Sequence, residues 1–186
     1  YYWSGGPVEM HKHLFLWSPS YWTAVKADID YVMKKNPNLK RWYMLSPDYA
    51  FGSTLETLEQ SIGKEFHGLE FVGSAKHVAG EREFSRYMAD IAATKPDGIF
   101  INSWGLDFAA AMRELANFGL NKKMQIIMPW GSGVDDYLRL TPEITEGVVI
   151  GTSFYHTVDN PIAKDLTARF KEKYGAPPGY PSGSIY

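Results

Sequence analysis

Apolar positions along the chain repeat with two alternating periods. Trp22, Val25, Ile29, Val32 and Met33 fall on one face of a helix that Asn36-Pro37 ends, and the run 41–45 after it predicts a strand. Leu55, Leu58, Ile62 and Phe66 mark a second helix, opened by Gly52-Ser53 with Ser53 as its N-cap. A strand is predicted at 69–72, a third helix on Phe84, Tyr87, Met88 and Ile91, and a strand at 98–101 behind Lys95-Pro96-Asp97. Phe108, Met112 and Leu115 define a fourth helix closed by Gly119, strands follow at 125–128 and 147–150, and Ile162, Leu166, Phe170 and Tyr174 predict a closing helix before Gly175.

Strand and helix alternate five times, and most of the strands are continuous apolar runs. That combination predicts an α/β fold, doubly wound, with a mainly parallel sheet covered by helices on both faces. Such sheets hold ligands beyond the carboxyl ends of their strands, which draws three loops together: 46–53, 102–107 and 129–136. The first of them, SPDYAFGS, has Pro47, Asp48 and Gly52 for the turn, yet nothing about reversing a chain calls for Tyr49 and Phe51. The other two carry Trp104 and Trp130 beside polar groups.

Composition narrows the function classes. The chain has 186 residues, 45% apolar and 22% charged, enough for one buried core. A formal charge of -2 with both signs interspersed offers no basic face, so no nucleic-acid partner is expected, and no polybasic patch for a membrane. With no cysteine there is no disulfide, thiol nucleophile or thiolate metal site.

Candidate chemistry is sparse. Gly131-Ser132-Gly133 lacks a third glycine, no Walker lysine is present, and no Gly-x-Ser-x-Gly elbow follows a strand, so neither a nucleotide cofactor nor a hydrolase is expected. His11 and His13 have no third ligand at metal spacing and read as solvent-facing. His156 is open to two readings, a cleft residue or a hydrogen-bonded structural one. Asp135 and Asp136 suit a helix start. The three loops are expected to hold no metal and no nucleophile–base pair. Trp22, Trp42 and Phe84 read as core, whereas Tyr49, Phe51, Trp104 and Trp130 read as rings displayed for binding, with Asn102 and Asp107 as their polar neighbours. The residues point to a binding protein; an α/β enzyme and a ligand-sensing domain of a receptor or regulator are the competing classes.

The stretches YMLSPDYAFGSTLETLEQ, VGSAKHVAGEREFSRYMADIAATKPDGIFIN, AAAMRELANFGL and SFYHTVDNPIAKDLTARFKEKYGAPP, in that order and spacing, resemble the type I periplasmic solute-binding proteins of ABC importers, in their branched-chain amino acid receptor branch. The resemblance runs from Phe15 to Pro178 and is to the second of the two lobes. It implies a ligand-binding lobe over 15–175, with 1–14 and 176–186 as hinge or neighbouring-lobe pieces of a truncated chain. It also implies a small carboxylate-bearing ligand, a hydrophobic or aromatic amino acid or an aromatic acid, held between two lobes. No cofactor is implied. The partner would be an ABC importer permease, the location periplasmic or otherwise extracytoplasmic, and the membrane reached only through the permease or a lipid anchor outside this chain. By position in the family, Phe51 matches an aromatic before the loop glycine that contacts ligand, and Trp104 matches a cleft aromatic. Ser132 stands near where amino-acid receptors place an acid, and Tyr155 in SFYHTVDNP completes the expected cleft set.

Overall fold

A computed structural model describes residues 20–130 and 139–179, together with two short strands, β1 (Tyr2–Trp3) and β2 (Gly6–Pro7), which pair antiparallel. Ser132, Asp135, Asp136, His11 and His13 lie outside the described residues. The elements then run α1 (Tyr21–Lys35), β3 (Arg41–Pro47), α2 (Ala50–Ile62), a π-helical turn (Gly63–His67), β4 (Glu70–His77), α3 (Ser85–Thr94), β5 (Gly98–Ile101), α4 (Gly105–Asn117), β6 (Gln125–Met128), α5 (Pro142–Thr145), β7 (Val149–Ile150) and α6 (Pro161–Tyr174). The five main strands form one sheet in the order β4-β3-β5-β6-β7, every neighbouring pair parallel.

Period-two alternation divides the strand side chains between two helical layers. Trp42, Met44, Phe100 and Ile127 face α1 and α2, whose Val25, Ile29, Leu55 and Leu58 complete that core. Tyr43, Leu45, Ile99, Ile101, Ile126 and Met128 face α3 and α4 with Met88, Ile91, Phe108 and Met112. Both faces of the sheet are therefore buried, which is why the central strands read as unbroken apolar runs. Trp42 and Phe100 pack with ring centroids 4.7 Å apart at the centre of the first layer. Burial of side chains of this size supplies roughly 1.5–3 kcal/mol each.

Local chemistry fixes the register. Asp97 Oδ2 accepts the backbone N–H groups of Lys40 and Arg41, both at 2.8 Å, and so ties the start of β3 to the start of β5. Beside it, β5 begins with glycine because the Trp42 indole lies on its backbone; a Cβ at Gly98 would sit 2.5 Å from that ring.

Four details differ from the sequence reading. β4 runs five residues past the predicted end at 72, to His77: it is an edge strand, so Gly73, Ser74 and Lys76 interrupt the apolar run without ending the pairing. α2 begins at Ala50 with Tyr49 as N-cap, so Ser53 is a first-turn residue rather than the cap. Trp22 is 45% exposed; Tyr21, one residue earlier, takes the buried place on α1. In α6 the buried residue is Ala163, while Ile162 and Tyr174 of the predicted stripe stand exposed among the described residues.

Candidate functional site

In this strand order the chain first moves from β3 outward to β4 and then crosses back past β3 to β5, so the topology reverses between β3 and β5. Ligand crevices of open α/β sheets form at that reversal, outside the strand carboxyl ends. Tyr49 follows β3 and Trp104 follows β5; they are the N-caps of α2 and α4, both with extended backbone and neither with a side-chain capping bond. Their side chains meet across the gap, Trp104 Nε1 donating to Tyr49 Oη at 3.4 Å. Beneath and beside them lies a cleft of about 440 Å³ lined by Pro47, Tyr49, Arg82, Ser103, Trp104 and Asp107, among others. That volume is within the range of small-molecule sites.

Ring contacts carry the site sideways along the strand ends. Tyr49 stacks on Phe51 at 5.9 Å, Phe51 meets Tyr21 edge-on at 5.6 Å, and Tyr21 meets Trp130 edge-on at 5.4 Å. The belt goes from exposed to buried. Trp104 is 56% and Tyr49 41% exposed, whereas Phe51 is 6% exposed and belongs to the core with Tyr21. The structure thus brings Tyr49, Phe51, Trp104 and Trp130 into one set of contacts, with only the first and third of these lining the cleft. Tyr155 lies elsewhere, half-exposed and 4.5 Å from the His156 ring, and Ser132 lies outside the described residues.

A buried polar layer underlies the rings. Asn102, expected as a polar neighbour of Trp104, turns inward: its Nδ2 donates to Ser46 Oγ at 3.0 Å and to Glu59 Oε2 at 3.1 Å. Glu59 is fully buried, and desolvation, opposed by the Asn102 hydrogen bond, pushes its carboxyl up to about 8. Its Oε1 and the Asn102 Oδ1 each have no hydrogen-bond partner, and a proton retained on Glu59 turns one of its oxygens into a donor. Asp107 holds the rim. Its Oδ2 accepts the Gly80 N–H at 2.8 Å and ties the first turn of α4 to the loop after β4.

One serine–histidine contact reaches a loop residue from outside the three loops, from the end of β4. Ser103 Oγ lies 2.6 Å from His77 Nε2, and His77 Nδ1 lies 2.8 Å from the Val78 carbonyl oxygen. Sequence reasoning missed the pair because its members are 26 residues apart, His77 at the end of β4 and Ser103 in the loop after β5; β3 lies between those strands, with Pro47 in register with His77. The early end assigned to β4 also hid the fact that His77 closes a strand on the cleft side. The same misplacement concealed the loop after β4, which brings Arg82 to the cleft. Its signal was present in AGEREF, a polar run with a glycine at a strand end. At the opposite, amino ends of the strands a second hollow of about 360 Å³ is lined by Asp97, Gln125 and the Lys122–Glu146 ion pair. Two of the polar groups of that hollow are already engaged within the fold: Asp97 caps β3 and Gln125 Nε2 donates to the Gly147 carbonyl.

Comparison with known proteins agrees with this fold. The family model for periplasmic binding proteins matches residues 2–186. The chain is 32% identical to the amino acid ABC transporter substrate-binding protein of Pseudomonas fluorescens Pf-5, with a TM-score of 0.83 over 88% of this chain and 44% of that one. It is 24% identical over 173 residues to the Leu/Ile/Val-binding protein homolog 4 of Brucella abortus, covering 92% of this chain and 41% of the relative. The fold also matches, at 21% identity and a TM-score of 0.70 over 88% of this chain and 45% of the other, the solute-binding protein of a Rhodopseudomonas palustris ABC transporter in complex with 3,4-dihydroxybenzoic acid. This chain thus spans about two fifths of the length of the curated relatives it matches. These relatives are binding proteins, not enzymes. A sheet built to open a ring-lined cleft at its topological switch point, and a family match over nearly every residue, lead to one conclusion: the chain belongs to the periplasmic binding protein family.

Proposed function

We propose that residues 15–175 form one ligand-binding lobe of an extracytoplasmic solute-binding protein, with 1–14 and 176–186 belonging to the hinge or the neighbouring lobe. The whole protein captures a small carboxylate bearing a branched apolar or aromatic group between its two lobes. Closure about the hinge presents the complex to the permease of an ABC importer, and the membrane is reached only through that permease or a lipid anchor outside this chain. The observation that carries this reading is the Tyr49–Trp104 pair, held above a cleft by one hydrogen bond where β3 and β5 part. Two rings poised there offer apolar area at small rotamer cost, as an apolar ligand side chain requires. The kinds of ligand named for the Brucella and Rhodopseudomonas relatives support the same chemistry.

No helix among the described residues is long and apolar enough to cross a membrane. The test is titration calorimetry on the full-length protein with leucine, phenylalanine and benzoate, where binding of at least one at micromolar or tighter affinity is expected. Binding of none of the three would remove the reading.

A further inference from the structure

We propose that Ser103 is a specificity residue that reads a hydrogen-bond donor on the ligand, and that His77 is the positioning residue that makes it an acceptor. The inference rests on the cleft being the ligand site, and it starts from the Val78 carbonyl. That oxygen can only accept, so the His77 nitrogen 2.8 Å away, Nδ1, carries a hydrogen. In the neutral ring Nε2 is then a bare lone pair, and Ser103 Oγ, 2.6 Å from it, must be the donor. Among the described residues, the hydrogen-bonding partners of the ring are this carbonyl and this serine.

A serine hydroxyl ordinarily rotates to donate or accept as its partner requires. Ser103 has lost that freedom, because its one hydrogen is committed to His77. Both residues are buried, Ser103 to 2% and His77 to 1% exposure, so bulk water does not exchange with the bond. The ring is also held in place, with Phe84 packed edge-on at 5.0 Å. Ser103 nevertheless lines the cleft, and what it offers there is lone pairs. A ligand N–H or O–H meets an acceptor. A ligand oxygen at the same point meets a second set of lone pairs with no hydrogen between them. The ligand class that follows carries an amino or hydroxyl group in addition to its carboxylate and its apolar body.

Two matched pairs of probes test this on the full-length protein: 3,4-dihydroxybenzoate against benzoate, and L-phenylalanine against 3-phenylpropanoate. In each pair one member has a donor that the other lacks. At least one pair is expected to show a preference of about tenfold or more for the donor-bearing member, the scale of one satisfied against one unsatisfied buried acceptor. Which pair shows it identifies the donor as hydroxyl or amino. Ser103→Ala should bring the ratio to within about twofold, on the same scale of one lost hydrogen bond. His77→Phe keeps a ring against Phe84 but frees the hydroxyl, and should also lower the ratio while retaining binding of the donor-lacking member. A ratio near one in the unmodified protein overturns the proposal while leaving the cleft as the ligand site. So does a ratio that survives both variants, or an equal loss of affinity for both members of a pair, which is the mark of a purely structural role. Binding of none of the four probes removes the cleft reading and this inference with it.

Discussion

Trp104 Nε1 donates to Tyr49 Oη at 3.4 Å, and each of the two residues is the N-cap of the helix that follows it. N-cap positions favour Ser, Thr, Asp and Asn, whose side chains satisfy a free N–H of the first turn; a cap without that bond loses roughly 0.5–2 kcal/mol of helix stability. Neither ring makes a capping bond. Two uncapped helices therefore begin at the same crevice, and the stability forgone at each goes with a ring displayed at the switch point.

Replacing one ring by a good cap should separate the two roles. Trp104→Ser in the full-length protein is expected to hold or raise thermal stability, by about 0.5–2 kcal/mol if the new hydroxyl caps α4, while weakening ligand binding by about 1–3 kcal/mol, the scale of a truncated aromatic at a binding site. Melting curves and calorimetry on the same preparation give both numbers. A lower melting temperature with unaltered affinity would make Trp104 a structural residue.

Tyr49→Phe is a finer test of the same pair. It keeps the ring stacked on Phe51 and removes only the acceptor for the Trp104 indole. The indole then loses its anchor, and affinity should fall by about 0.5–1.5 kcal/mol, the net contribution of one such bond. The melting temperature should stay put, because both rings are substantially solvent-exposed. Unchanged affinity would show that Trp104 needs no hydrogen bond to stay in place.

Gly52 links the fold to the site. A Cβ there would lie 2.2 Å from the Pro47 carbonyl oxygen, in the tight passage that brings β3 into α2. Gly52→Ala must push Pro47 and Tyr49 apart, so it should destabilise the chain by about 1–3 kcal/mol, as overpacking does, and lower affinity as well. A neutral effect on both would mean the passage opens freely.

Much of this was legible in the sequence, and the reasons are specific. β3, β5 and β6 lie between two helical layers, so burial on both faces wrote them as apolar runs, and the parallel sheet followed from their alternation with helices. Tyr49 and Trp104 were legible because rings on loops have no packing reason to be there. Phe51 and Asn102 occupy the same loops and looked the same, yet one enters the core beside Tyr21 and the other turns down to Ser46 and Glu59. Only the tertiary packing of α1 and α2 distinguishes them from their neighbours. The Ser103–His77 contact was not legible at all, since it joins the end of β4 to the loop after β5 across β3, with no local spacing to mark it.

Buried carboxyls give the stability a definite pH dependence. Burial raises Glu59 and Asp28 to about 8, from ordinary values of 4.5 and 3.8. A raised folded-state value means the folded chain binds the proton more tightly than the unfolded chain does. The contribution is therefore complete below the unfolded values and is lost as the pH rises through about 8. Melting temperature should fall between about pH 5 and about pH 9, and Glu59→Gln, which cannot ionise, should shrink that fall, with Asp28 accounting for part of the remainder in the same window. An identical fall in Glu59→Gln would mean that Glu59 is already ionised in the folded chain.

The central claim is that Tyr49 and Trp104 grip a small organic acid at the β3/β5 switch point. Native mass spectrometry of the full-length protein, purified without denaturation beside its Trp104→Ala variant, addresses it most directly. The account predicts a bound carboxylate of low mass with a branched or aromatic body, retained by the unmodified protein and depleted in the variant. A nucleotide in that position, or an organic acid held equally by both proteins, would contradict it.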